Sequence, residues 1–188
     1  MPRRGPDIPS HNIVLVGLMG AGKSCIGRKL AARLRLPFVD ADAEIEKAAG
    51  CSISEIFERH GEQAFREGER RVIARLLEDG PKVVATGGGA YMDPDTRAAI
   101  AQAAVSVWLR ADLELLVRRT SRRNTRPLLR SGDPREILSR LIDERYPLYA
   151  KADITVDSAD APPEKTVQRV IDALEARGRE TTRQGAVG

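Results

Sequence analysis

The segment Gly17-Leu18-Met19-Gly20-Ala21-Gly22-Lys23-Ser24 limits what this chain can be more than any other. It has the form G-x-x-x-x-G-K-[S/T], with an apolar run at 12–16 before it and helical periodicity over 22–35 after it. Small residues between a strand and a helix let the backbone wrap closely around an anion. The amide groups of the loop and of the helix N-terminus then point at phosphate oxygens. Lys23 supplies a cation for the β- and γ-phosphates, and the Ser24 hydroxyl is placed for Mg²⁺. A bare glycine turn needs neither side chain, so the motif reads as a phosphate-binding P-loop. It does not say how the nucleotide is used, because GTPases, helicases, ATPases and small-molecule kinases share it. No N-K-x-D guanine signature is present, and 188 residues leave little room for helicase or transporter elements.

The rest of the chain alternates strand-like and helix-like segments. Strands are expected at 12–16, 37–39, 82–86, 105–109 and 154–156. Helices are expected at 22–35, 43–49, 53–60, 62–78, 95–103, 113–120, 134–150 and 163–177. That alternation implies right-handed crossovers and a parallel sheet covered on both faces, an α/β fold with three α/β/α layers. Ligands of such sheets bind beyond the carboxyl ends of the strands. Gly17, Asp40, Gly87-Gly88-Gly89 and Arg110 all stand at strand ends and should gather along one edge. One domain over 12–177 is expected, with flexible extensions at 1–11 and 178–188.

Composition narrows the function classes. Aromatic residues make up 4% of the chain, which argues against a surface that stacks nucleic-acid bases. The net charge of +4 comes from 31 Lys and Arg against 27 Asp and Glu, and the positions of single arginines carry more meaning than their sum. Cys25 and Cys51 have no metal-type spacing and are too few for a disulfide scaffold. Cys25 reads as a small buried thiol inside the first helix. No stretch approaches the ~20 apolar residues needed to span a membrane, and the first ten residues lack an apolar signal run. The expectation is a cytoplasmic protein, not bound to membrane or nucleic acid.

Several residues are candidates for the acceptor side. Asp40 and Asp42 follow the second strand. If the segment stays extended they face the same way, one near Mg²⁺ and the other able to take a proton from an attacking hydroxyl, although either could simply cap the next helix. Glu62, Arg66 and Glu69 share a helix face, as an exposed ion-pair stripe or as part of a site. Gly87-Gly88-Gly89 suits a ligand that approaches the backbone closely, or a tight loop. Residues 121–132 carry Arg122, Arg123, Arg126 and Arg130 around Pro127 and read as a mobile lid or a basic surface loop. Arg145 has no distinguishing context by spacing. His11 and His60 have no partner pattern.

Taken as an ordered set, Gly17–Ser24, Asp40-Ala41-Asp42, Phe57, Phe65-Arg66, Gly87-Gly88-Gly89, Arg126-Pro127-Leu128-Leu129 and Glu144-Arg145 resemble the shikimate kinase family over about residues 12–170. The resemblance implies a nucleoside-monophosphate-kinase-type fold with a five-stranded parallel sheet. It implies transfer of the γ-phosphate of ATP to the 3-hydroxyl of shikimate, with Mg²⁺ as cofactor. By resemblance, Gly20, Ala21, Gly22, Lys23, Ser24 and Cys25 hold the phosphates, and Arg119 and Pro163 flank the adenine. Asp42 is the base, Ser24 and Asp40 serve the metal, and Lys23 and Arg126 neutralise the phosphoryl group. Arg66 and Arg145 grip the shikimate carboxylate, with Glu69 orienting Arg66. Gly87, Gly88 and Gly89 meet the ring hydroxyls, and Phe57 and Phe65 wall the ring. ATP and shikimate are the expected partners of a monomer. The chain departs from the family pattern at Ala85-Thr86, where a serine is common two residues before the glycines, and at Arg122-Arg123, where small residues are common. A related kinase for another small acceptor, such as gluconate, and a non-catalytic nucleotide-binding module are the competing readings.

Overall fold

The centre of the structure is set by strands too short and too apolar to face water. In the computed structural model, which describes residues 10–122 and 132–185, β1 (Asn12–Val16) and β3 (Val83–Ala85) are buried at every residue. Continuous apolar runs of this kind suit a parallel sheet covered on both sides. β2 (Phe38–Asp40), β4 (Ala104–Arg110) and β5 (Ile154–Asp157) complete a five-stranded sheet in the order β2-β3-β1-β4-β5, every pairing parallel. The edge strand β5 alternates buried and exposed residues, as an edge should. β1 is central: the chain leaves it for β2 and β3 on one side, then returns for β4 and β5 on the other. The switch point lies where the P-loop and the glycine triplet emerge.

The helices are α1 (Lys23–Leu34), α2 (Ala41–Ala49), α3 (Ile53–Glu78), α4 (Pro94–Ala103), α5 (Leu113–Ser121), α6 (Pro134–Tyr149) and α7 (Pro163–Gly185), with a 3₁₀ turn at Ala90–Met92. Their starts are written in the sequence. Asp40, Asp93, Asp112 and Asp133 each accept a hydrogen bond from an amide in the first turn, and Ser52 with Glu55 forms a reciprocal capping box. None of the described helices is long and apolar enough to cross a membrane.

α3 is two helical pieces joined at Gly61, whose φ of 80° and ψ of 175° only glycine adopts readily. The expected break between 60 and 62 is therefore real. Two boundaries differ from expectation by more than one residue. α2 begins at Ala41, not 43, because Asp40 rather than Asp42 is its cap. α7 runs to Gly185 rather than ending at 177. Gly178 costs only ~1 kcal/mol in a helix, less than the surrounding arginines, glutamate and alanines can carry.

α1 lies against the sheet through Gly27. A Cβ there would come 2.5 Å from Phe38 Cε2 and 3.2 Å from Leu15 Cδ1. Gly27→Ala gains ~1 kcal/mol of helix propensity but overpacks the contact at a cost of about 1–3 kcal/mol. The net expectation is a lower melting temperature by roughly 2–4 °C, read by thermal unfolding. An unchanged or raised midpoint would show that the Phe38 ring yields freely.

Candidate active site

Gly22 caps α1 in the left-handed conformation (φ 97°, ψ 16°) and has no side chain to cover the first amides of the helix. Those amides face a cleft of ≈ 330 Å³ lined by Gly20 to Ile26, Asp40, Asp42, Thr86, Gly87 and Gly88. Arg119 and Pro163 line its other side. Lys23 is buried, and its Nζ donates to Gly17 O (2.7 Å) and Leu18 O (2.9 Å), so the lysine braces the loop that it serves. Arg119 braces the loop from outside. Its Nη1 donates to Gly20 O (3.1 Å), Ala21 O (3.3 Å) and Ser158 Oγ (2.9 Å), and its Nη2 to Ala159 O (2.8 Å). Burial lowers the Arg119 pKa from its ordinary value, and the nearby Asp160 opposes that shift.

Ser24 Oγ donates to Asp40 Oδ2 at 2.8 Å. A hydroxyl and a carboxylate at the mouth of a phosphate loop are hard oxygen donors, the set that suits Mg²⁺ shared with a phosphate ligand rather than a soft transition metal. The residues present fit that ion. Asp40 Oδ1 also accepts from the Asp42 amide at 3.1 Å. The expectation that residues 40–42 stay extended is corrected here. Asp42 sits in the first turn of α2, one turn of helix replaces the strand pleat, and both carboxylates still reach the cleft.

The glycine triplet is where the acceptor-side residues meet. A Cβ at Gly87 would lie 2.7 Å from Asp42 Oδ1 and 3.3 Å from Glu69 Oε1. At Gly88 it would lie 3.2 Å from Arg145 Nη1, and at Gly89 2.5 Å from Arg66 Nη1. Any side chain at these positions would fill the space that the two arginines and the aspartate occupy. Arg66 Nη1 pairs with Glu69 Oε2 at 2.9 Å, and Nη2 reaches Glu62 Oε1 at 3.5 Å. Glu69 is 3% exposed, so the pair is no solvated stripe. Burial raises the Glu69 pKa from the ordinary glutamate value, and the bond from Arg66 opposes that rise. Arg145 approaches from α6, where the Tyr149 hydroxyl lies close to its guanidinium and donates to Gly88 O.

The Phe57 and Phe65 rings lie 4.7 Å apart, Phe65 buried and Phe57 exposed, with the Arg66 guanidinium 5.1 Å from the Phe65 ring centre. Three expectations come out differently or lie elsewhere, those for Cys25, Arg110 and Arg126, while the histidines are as expected. Cys25 is exposed at the cleft rather than buried, because its position on α1 faces away from the sheet. Arg110 stands at its strand end but pairs with Asp157 (2.6 Å) outside the cleft. His11 and His60 are exposed. Arg126, with most of the segment at 121–132, lies outside the described residues. Sequence reasoning met Thr86 only as a departure from the family pattern and passed over Ser158. The Thr86 hydroxyl donates to Leu15 O (2.9 Å), and the Ser158 hydroxyl to Ala21 O (2.9 Å). Both follow strands at the ligand edge of the sheet, a signal that was available.

Comparisons with known proteins agree with this geometry. The shikimate kinase family profile matches residues 19–175. The chain is 67% identical over 164 residues to a shikimate kinase of Paramagnetospirillum magneticum, covering 87% of this chain and 84% of that protein. It is 59% identical over 167 residues to a shikimate kinase of Bradyrhizobium diazoefficiens, covering 89% and 81%. The structure of a shikimate kinase from Acinetobacter baumannii in complex with shikimate superposes with a TM-score of 0.86 at 37% identity, over 90% of this chain and 96% of that one. Fold, cleft and sequence converge, and the chain belongs to the shikimate kinase family.

Proposed function

We propose that this enzyme phosphorylates the 3-hydroxyl of shikimate with ATP, and that the residues around the glycine triplet select and activate the acceptor. The observation that carries the reading is the convergence of Asp42, Glu69, Arg66 and Arg145 on Gly87, Gly88 and Gly89, beside the P-loop. Two guanidinium groups near one another suit a carboxylate, which a planar fork grips through two parallel bonds. Asp42 lies between this clamp and the phosphate cradle.

The P-loop amides and Lys23 hold the β- and γ-phosphates, Lys23 exchanging its carbonyl partners for phosphate oxygens. Arg66 and Arg145 take the shikimate carboxylate, Gly88 meets the ring hydroxyls through its backbone, and Phe57 and Phe65 cover the ring. The acceptor hydroxyl oxygen then bonds to the γ-phosphorus as the bond to the bridging β,γ-oxygen breaks, and Asp42 receives the hydroxyl proton. Ser24 and Asp40 would hold Mg²⁺, which would supply charge neutralisation at the phosphates. Arg126 adds a cation to the transferring group, and Arg119 and Pro163 flank the adenine. Positioning and electrostatics supply most of the rate in such transfers.

An assay coupled to ADP release, run with shikimate, with gluconate and with no acceptor, tests the reading. Release that depends on shikimate, with gluconate at background, is expected. Equal release with gluconate or without acceptor would overturn it.

A further inference from the structure

Arg66 and Arg145 form the two arms of the clamp, but they are held differently. Arg66 is fixed by the buried carboxylate of Glu69. Arg145 forms no salt bridge among the described residues. What meets it instead is the hydroxyl of Tyr149, one turn further along α6. We propose that Tyr149 is a positioning residue for acceptor binding: its hydroxyl accepts from the Arg145 guanidinium and donates to Gly88 O, joining one arm of the clamp to the glycine backbone. The inference rests on the reading of Arg145 and Gly88 as acceptor contacts.

The ring makes a rigid post. Tyr149 is 1% exposed and packs against Tyr91, Trp108 and Tyr146 at centroid distances of 6.2, 5.9 and 6.2 Å. A phenol locked on two torsions loses little further freedom when a ligand binds. A phenol oxygen can donate one hydrogen bond while accepting others, as this relay requires. Burial pushes the Tyr149 pKa up to about 12, so the hydroxyl keeps its proton at neutral pH. Three successive glycines leave the 87–89 backbone with great conformational freedom, and the anchored Gly88 carbonyl removes part of it before the ligand arrives. The same bond fixes the adjoining peptide units, and a shift there would move the Arg145 guanidinium, 3.2 Å from the Cβ position of Gly88. A long arginine held in place loses less entropy on gripping a carboxylate.

Tyr146 provides a matched control. It lies on the same helix and in the same aromatic cluster, and its hydroxyl also donates to a backbone carbonyl, that of Ala111, away from the glycine triplet. A purely structural role would make Tyr146→Phe and Tyr149→Phe behave alike. Tyr149→Phe is expected to raise the shikimate KM about five- to tenfold, the net effect of one ordinary hydrogen bond, with ATP KM and kcat within about twofold. Tyr146→Phe should leave the shikimate KM unchanged, even where its melting temperature falls. In an Arg145→Ala background, Tyr149→Phe should add little to the shikimate KM, because the two act as one unit. An unchanged shikimate KM in Tyr149→Phe, an equal rise in both substrates' KM, or an equal effect of Tyr146→Phe overturns the proposal. If Tyr149→Phe does not fold, 3-fluorotyrosine at position 149 keeps ring and hydroxyl but weakens the acceptor. It should raise the shikimate KM by about two- to threefold, and no change overturns the proposal equally. Wild-type protein without shikimate-dependent ADP release would instead refute the proposed function, a separate outcome.

Discussion

Asp42→Asn is expected to lower kcat by about 10²–10⁴-fold, the usual contribution of a positioned proton acceptor. Asparagine keeps the size and the place of the side chain at the start of α2, so the fold and the nucleotide cradle persist. ATP affinity, measured by calorimetry, should stay within about threefold, since the phosphate contacts are left in place. In the proposed mechanism, what is lost is the group that takes the proton as the acceptor oxygen bonds to phosphorus. Turnover near the wild-type rate would show that the proton leaves by another route. Asp40→Asn is the informative control. Asp40 caps α2 and accepts from Ser24, roles that asparagine can keep, so the substitution should show as a shifted Mg²⁺ requirement with stability nearly unchanged.

Arg66→Lys is expected to weaken shikimate binding by about 10- to 100-fold, the effect of roughly 1.5–3 kcal/mol for a hydrogen bond between charged groups. Lysine retains the charge but not the planar fork, so it cannot hold a carboxylate through two parallel bonds while also satisfying Glu69. The Glu69 carboxylate, 3% exposed, then keeps a poorer partner, and some loss of stability should accompany the loss of affinity. ATP affinity should be unaffected. A shikimate titration that matches wild type would place the carboxylate elsewhere.

Much of the fold was legible because local rules agreed with one another. Apolar runs of three to five residues ended at glycine, aspartate or arginine, and each became a strand of the parallel sheet. Gly61 announced a break between two helical stretches, and the backbone there takes a conformation that glycine tolerates. The start of α2 was misplaced because Asp40 and Asp42 are equally good caps in a linear reading, and only the bond from the Asp42 amide decides between them. At the site, the P-loop could be read alone because its chemistry is contiguous. Arg66 and Arg145 could not. Each has the spacing of an ordinary surface arginine, and they become a pair only because β3 delivers three glycines between α3 and α6. The resemblance to a family supplied that pairing where spacing did not. Tyr149 lay within a buried-looking helical pattern, and nothing in the order of residues told its hydroxyl from any other core phenol.

Glu69 has a thermodynamic consequence that runs in two opposed directions. Its carboxyl titrates above the ordinary glutamate range because it is buried, so the folded chain takes up this proton more readily than the unfolded chain does. Its contribution to stability is therefore greatest in acid and is lost as the pH rises through the folded pKa. The guanidinium that it steadies responds in the opposite sense: acid removes the counter-charge and frees the arm. Above the folded pKa the protein tolerates an ionised group that burial penalises, and the ion pair keeps Arg66 aimed. Acidification through the folded pKa should ease folding at this residue and loosen the grip on the acceptor together.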